Sequence, residues 1–453
     1  MDMISHFAYY IGKTDYSDLS RPVIENTKKF IIDTIGVGIA GLEAPGCLQA
    51  LEVVKGFGGY PEATVLMNDF KCPSPWASFM NSIFMHALDF DDALDESPLH
   101  ANVSVLPAAL ALGESRQGVT GKDLICAITL GQDVACRVGA SLKRPLAWTR
   151  TVTCGFFGAT AATGKIAKLD REKMWDAFGI SYCQTAGNVQ CMLDGVLVKR
   201  MQPAFAAKSA ILSTLLAERG ITGTKNVLEG DFGFFKLYEG NDYDKDILLN
   251  DLGEDFRGME LSIKPYPCCR MTHASIDAAL KFRKEFQVDL TNVEKIVVKT
   301  SKMVHEMVGM PFRIRKDPQV DAQFSIAYTV IVALLKGDVF LDDFEENNVR
   351  NQRIMDLTRL VEVIPDPNIE ERDIMKSTIE VINKDGQRLS SDVSAIKGNP
   401  LNPMSIEECM KKFRKCVDFS PKNIRQETIS KILDLLGNLE NVKDINELTE
   451  LIH

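Results

Sequence analysis

Several enzyme signatures are missing from this chain of 453 residues. It has no C-x-x-C pair and no G-x-S-x-G elbow, and no dinucleotide-binding fingerprint is read from it. Sequence support is therefore lacking for a cysteine-ligated zinc or iron–sulfur centre, a nucleotide-cofactor fold or an α/β-hydrolase nucleophile. Gly158–Lys165 comes nearest to a phosphate loop, yet five residues separate Gly158 from Gly164, and Ile166 stands where a magnesium-binding hydroxyl belongs. Close helix packing is the better reading of that Ala/Gly-dense stretch. Acidic residues outnumber basic ones, 62 to 52. The net charge of −10 argues against the basic surface that nonspecific nucleic-acid binding needs.

No uncharged apolar run is long enough to predict a membrane span. Met1-Asp2-Met3-Ile4-Ser5-His6 has no basic region leading into an apolar one, so no secretory leader is expected. The eleven cysteines are an odd number and scattered. Cys126, Cys136, Cys154, Cys183 and Cys191 lie among apolar or small residues, which predicts reduced core thiols and a cytoplasmic protein.

What the chain does have is an acidic run in an unusual place. An apolar, helix-like stretch from Trp76 to Leu88 empties into Asp89, Asp91, Asp92, Asp95 and Glu96, and His100 follows before a second apolar stretch begins at Val103. Mutually repelling carboxylates beside buried segments point to use: divalent-metal binding, general acid–base catalysis, or a network that orients His100. Asp91-Asp92-Ala-Leu-Asp95 fits the D-D-x-x-D pattern of metal-dependent isoprenoid synthases. No second metal motif accompanies it, since Asp342-Asp343-Phe-Glu-Glu has the wrong spacing. A plain solvated loop would leave Phe90, inside the acidic run, unexplained.

Helical periodicity dominates residues 1–263, at Val23–Leu42, Trp76–Leu88, Val105–Leu112, Lys122–Leu142, Phe156–Leu169 and Ala204–Leu216. From 264 to 396 the pattern changes. Strands are predicted at Val293–Lys299, Leu360–Ile364, Thr378–Ile382 and Gln387–Val393, the last two joined through Asp385-Gly386, with helices at His273–Phe286 and Ala322–Leu335. After a Pro/Gly/Asn connector, Ser405 and Glu408 form a capping-box pattern, and residues 397–453 are read as a return to the helical domain. The expected fold is mostly α: a large all-helical domain with a smaller α+β lid domain.

Two further constellations carry charge. In Lys264-Pro-Tyr-Pro-Cys-Cys-Arg-Met-Thr-His273, two prolines stiffen an approach that would place His273 in the first turn of a helix. In Val198-Lys-Arg-Met-Gln-Pro203, two cations precede an Ala-rich helix and could face a carboxylate. The chain has only six histidines, and two of them occupy such contexts.

These blocks in this order resemble the MmgE/PrpD family of carboxylate dehydratases, decarboxylases and epimerases. The matching segments are His86-Ala-Leu-Asp-Phe-Asp-Asp92 with His100 and Pro107, Cys154-Gly155, Lys199 through Ala207, Lys264 through His273, Phe324-Ser-Ile-Ala-Tyr328 and Asn402-Pro403-Met404. The resemblance implies a cofactor-independent enzyme without metal, commonly a homodimer, with a pocket between the helical domain and the lid. It assigns catalytic roles to Asp89, His100, Lys199, His273 and Tyr328, the last as a proton donor; Lys199, Lys264, Arg270 and Gln202 are candidate substrate-binding groups, and Arg150 is a candidate replacement anchor where the chain departs from the family. The chemistry is consistent. Removing a proton alpha to a carboxylate builds negative charge that cations and donors must stabilise, while an imidazole handles the proton. On this reading Asp89 orients Lys199 or His100, and Asp91, Asp92, Asp95 and Glu96 are helix-end and loop scaffolding.

The sequence also departs from the family. Ala93 stands where members with citrate-like substrates often have Thr, the loop before His100 is one residue longer, Thr149 replaces a histidine, and Gln202 replaces another. The expectation is therefore a lyase acting on a small di- or tricarboxylate, with an epimerase using the same residues as the alternative and a metal-dependent isoprenoid synthase as a lesser one.

Overall fold

The computed structural model describes residues 2–287, 289–315 and 317–453. The chain forms two compact units, one of Met1–Ile263 with Ser405–His453, the other of Lys264–Met404.

The first unit is helical. Its principal helices are α1 (Arg21–Ala40), α2 (Ser74–His86), α3 (Asn102–Glu114), α4 (Gly121–Ser141), α5 (Arg150–Ile166) and α6 (Gln202–Glu218). Every residue of α3 is buried, the polar Asn102, Ser104 and Glu114 included, so it lies at the centre of the unit. Pro107 inside α3 cannot bond back to the carbonyl of Val103. The Ser82 hydroxyl of α2 donates to that carbonyl instead, at 2.5 Å, which joins α2 to α3. Small residues bring α4 and α5 together. A Cβ on Gly158 would lie 2.6 Å from the Gly131 carbonyl oxygen, so Gly158–Lys165 is helix-packing surface as expected. Helix α4 is long and apolar enough to cross a membrane by length and composition, but 94% of its most apolar stretch is buried inside the unit.

One correction concerns Gly36-Val-Gly38-Ile-Ala-Gly41, which does spell G-x-G-x-x-G. It runs through the C-terminal half of α1 rather than between a strand and a helix. Its glycines admit neighbours: a Cβ on Gly36 would meet the Phe413 ring at 2.9 Å, and one on Gly41 the Phe84 carbonyl oxygen at 2.2 Å. The motif serves packing, not a nucleotide. A two-residue strand β1 (Ala93–Leu94) pairs antiparallel with β2 (Leu261–Ser262), an element the helical pattern did not announce.

The second unit carries a four-stranded sheet of β3 (Val293–Thr300), β4 (Val361–Pro365), β5 (Ser377–Asn383) and β6 (Arg388–Val393), in the order β4-β3-β5-β6. β3 and β4 are parallel, the other pairs antiparallel. The β5–β6 hairpin turns at Asp385-Gly386, where Gly386 has φ 84°, a conformation glycine adopts without steric cost. Helices α7 (His273–Glu285) and α8 (Ile326–Lys336) supply Ile276, Phe282 and Ile331 to a core shared with Ile296, Val298, Ile379 and Val381. The helix expected over Ala322–Leu335 is interrupted, because Ser325 leaves the helical conformation and caps α8 by accepting from the Tyr328 amide. The connector 397–404 lies with this unit.

The first helix after the connector, α9 (Ile406–Phe419), belongs to the first unit and opens with the Ser405/Glu408 capping box. It buries Cys409, Phe413, Cys416 and Val417. All eleven cysteines are free thiols, and Cys183, expected in the core, is exposed.

Candidate functional site

The acidic run is a loop between α2 and α3 that bends sharply at its start. Asp89 has φ 55°, in the left-handed region that Asp tolerates better than most residues. Phe90 is fully buried. Anchoring that ring turns its neighbours to different fates. Asp89 is partly exposed and lies 3.4 Å from Lys199 Nζ, which rises from a short 3₁₀ helix, Leu197–Met201. Asp91 is fully buried and meets two histidines. Its Oδ2 is 2.8 Å from His86 Nδ1 and 3.2 Å from His100 Nδ1. The two imidazoles stand edge to face, with centroids 5.3 Å apart.

Asp92 has two duties. Its carboxylate accepts the amides of Ala101 and Asn102 at 2.9 and 3.1 Å, capping α3, and its carbonyl oxygen is 2.5 Å from His100 Nδ1. A carbonyl can only accept, so this contact puts the proton on His100 Nδ1. In the neutral ring the lone pair then belongs to Nε2. The pattern is that of an Asp–His dyad, a carboxylate on one ring nitrogen and base capacity on the other. Burial and the adjacent Asp91 charge push the Asp92 carboxyl up to about 7. Burial pulls the His86 imidazole below its ordinary value, against the opposing pull of Asp91.

The loop geometry also disposes of the diphosphate-metal reading. That motif needs carboxylates one helical turn apart, whereas residues 87–101 are not helical. Asp91 faces imidazoles, Asp92 caps a helix and Asp95 accepts the Ser262 hydroxyl at 2.5 Å.

Arg150 and Gln202 both make hydrogen bonds within the protein. Buried Arg150 donates to Ser97 Oγ at 3.0 Å and to the Arg144 carbonyl at 2.6 Å, closing the chain before α5. The Gln202 amide grips the backbone of Asn188, accepting from its N–H at 2.9 Å and donating to its carbonyl at 3.1 Å. Gln202 thereby fixes one wall of a cleft of about 600 Å³ that Val152, Phe156, Cys191, Val198 and Phe205 also line.

The remaining candidates belong to the second unit. Lys264 is buried at its start. His273 opens α7 and is fully buried. Arg270 donates to His273 Nδ1 at 3.1 Å, and Nε2 lies 3.3 Å from the Cys268 carbonyl oxygen. Because a guanidinium cannot accept, Nδ1 carries the lone pair and Nε2 the proton, so this imidazole is held neutral. Tyr328 was expected to donate a proton, but its ring sits in the hydrophobic core and its hydroxyl donates to the Asp343 carbonyl. Burial raises that hydroxyl well above its ordinary pKa, which leaves it a core anchor.

Sequence reading missed the pairing within the acidic run. It gave Asp89 the orienting of Lys199 or His100, and Asp89 does lie on Lys199, but it read Asp91 as scaffolding, whereas Asp91 meets His100 with His86 as its second partner. The five-residue step from His86 to Asp91, across a helix end, was the available signal.

Two family models match the chain, the MmgE/PrpD N-terminal domain over residues 5–246 and the MmgE/PrpD C-terminal domain over residues 266–437. The chain belongs to the MmgE/PrpD family and is an enzyme of that family. Among its relatives, a cis-aconitate decarboxylase of Aspergillus terreus (strain NIH 2624 / FGSC A1156) is 28% identical over 473 residues, covering 99% of this chain and 95% of the relative. The Homo sapiens cis-aconitate decarboxylase is 26% identical, covering 98% and 93%. The 2-methylcitrate dehydratase of Escherichia coli (strain K12) is 20% identical, covering 78% and 76%.

Proposed function

We propose that this enzyme is a lyase of a small di- or tricarboxylate, of the dehydratase or decarboxylase type, in which His100 handles the proton at a carbon alpha to a carboxylate. The Asp91–His100 contact carries this reading. With the Nδ1 proton held between the Asp91 carboxylate and the Asp92 carbonyl, Nε2 acts as base in a dehydration, and Asp91 stabilises the imidazolium that results. In a decarboxylation the same ring works in reverse, its protonated Nε2 delivering a proton to the carbon that loses CO2. Lys199, steadied by Asp89, supplies the cation that a substrate carboxylate and its developing charge require. No organic cofactor or metal enters this proposal.

The names of the relatives favour citrate-like substrates. Ala93 and Thr149 favour a different substrate-holding shell, and with it an epimerase as the second reading. Proton NMR in deuterated water separates the two: an alkene product or loss of CO2 supports the lyase, whereas deuterium entering a substrate of unchanged composition supports the epimerase. A turnover screen over small di- and tricarboxylates, amino and imino acids included, supplies the substrate for that test.

The proposal includes a cytoplasmic homodimer. Free thiols support the compartment. Exposed Met192, Leu193, Val196, Leu197, Val198 and Phe205 support an apolar self-association surface, which light scattering would test.

A further inference from the structure

Lys412 lies on α9, 322 residues beyond Phe90 in the sequence, and is buried. A buried ammonium is costly unless it is paired and hydrogen-bonded. Lys412 Nζ is 2.7 Å from Asp33 Oδ1 of α1, donates to the Phe90 carbonyl at 3.0 Å and stands 3.6 Å from the centroid of the Phe90 ring. One cation thus holds both the backbone and the aromatic face of the residue between Asp89 and Asp91. The loop has reason to be held. Asp89 occupies a left-handed conformation that persists only when its surroundings fix it, and Asp91 is one peptide away from the gripped carbonyl. Asp33 closes the arrangement by pairing the cation from the opposite helix, so α1, the loop and α9 meet at one ammonium.

We infer that Lys412 is a positioning residue that sets the Asp89–Asp92 loop, and through it the carboxylate on His100. Its consequence for turnover rests on the reaction proposed above; its consequence for the loop does not. A purely packing role for Lys412 would affect stability alone. A positioning role requires the His86 and His100 rings to respond when the ammonium is removed.

The test removes both charges together, as Asp33→Asn/Lys412→Met, so that no uncompensated charge stays buried. Side-chain ¹H–¹⁵N spectra of ¹⁵N-histidine-labelled protein follow all six imidazoles without any substrate. The His86 and His100 signals are expected to move or broaden, while those of His6, His305 and His453 stay in place. On the substrate turned over by the wild type, kcat is expected to fall about tenfold or more with KM changed less than about threefold, the signature of misplaced rather than lost machinery. A folded double variant with unchanged His86 and His100 signals overturns the inference. If the double variant does not fold, the apolar pair Asp33→Leu/Lys412→Leu removes the same grip on the Phe90 carbonyl and ring without leaving a buried polar group; unchanged His86 and His100 signals there overturn it equally. Should His100→Ala retain turnover, the proposed reaction fails, yet the spectra still decide whether Lys412 sets the loop.

Discussion

The carboxylate of Asp91 meets both the His100 and the His86 imidazole, with Oδ2 3.2 Å from His100 Nδ1 and the same oxygen 2.8 Å from His86 Nδ1. Asp91→Asn removes the charge that stabilises an imidazolium and replaces an acceptor with a mixed donor–acceptor. Steady-state kinetics should show kcat reduced about 10²-fold or more, with the protein still folded. Turnover within threefold of the wild type would remove the dyad from the mechanism.

Lys199 makes a different demand. Its Nζ is 3.4 Å from Asp89, and both side chains are partly exposed, so the pair adds little stability. Lys199→Met should leave the unfolding midpoint within a degree or two, raise KM at least about tenfold through loss of the carboxylate anchor, and lower kcat through loss of the cation that meets the developing charge. A stable variant with unchanged KM and kcat would show that the anchor lies elsewhere.

Asp92 predicts a pH dependence of stability. Its carboxyl sits at about 7 in the fold, above its ordinary value of 3.8, chiefly through burial. Between those two values the unfolded chain has released the proton and the native one retains it. Protons bound by the unfolded state minus those bound by the native state is therefore negative, and this group's contribution to stability falls as pH rises from 4 to 7, then levels off. Asparagine keeps one acceptor oxygen, at the position that now takes Ala101 at 2.9 Å and Asn102 at 3.3 Å, and cannot titrate. Denaturant melts at several pH values should show the wild type losing stability relative to Asp92→Asn across that interval. A constant difference would mean that Asp92 ionises normally.

Arg150 and Gln202 should report on architecture. Gln202→Ala leaves the Asn188 backbone without its side-chain partners, at a cost of about 1–3 kcal/mol in denaturant unfolding. Arg150→Met should act in the same direction by releasing Ser97 and the Arg144 carbonyl. If either variant keeps full stability while KM rises strongly, the residue faces substrate after all.

Much of the fold was legible because local periodicity carries it. The apolar run Val105–Leu112 reads as the body of α3, Asp385-Gly386 announces its hairpin and Ser405 with Glu408 announces α9, all through interactions within a few residues. The break before α8 was not legible, since Ser325 looks like any small residue until its hydroxyl takes the Tyr328 amide. In the site, His100, Asp89 and Lys199 could be named from their contexts. The choice of Lys199 or His100 as the partner of Asp89, and the carboxylate on His100, could not, because five acidic residues within eight positions look interchangeable on paper.

The sequence by itself determined the helical unit, the α+β unit, the acidic loop with its histidine and the cation at 199. Only tertiary structure decided which carboxylate serves which cation. The deciding element is Phe90, buried among helices that are remote in the chain and held by an ammonium from α9. Burying that ring turns Asp89 toward Lys199 and Asp91 toward the histidines. Such a choice depends on packing across hundreds of residues, and no local spacing records it.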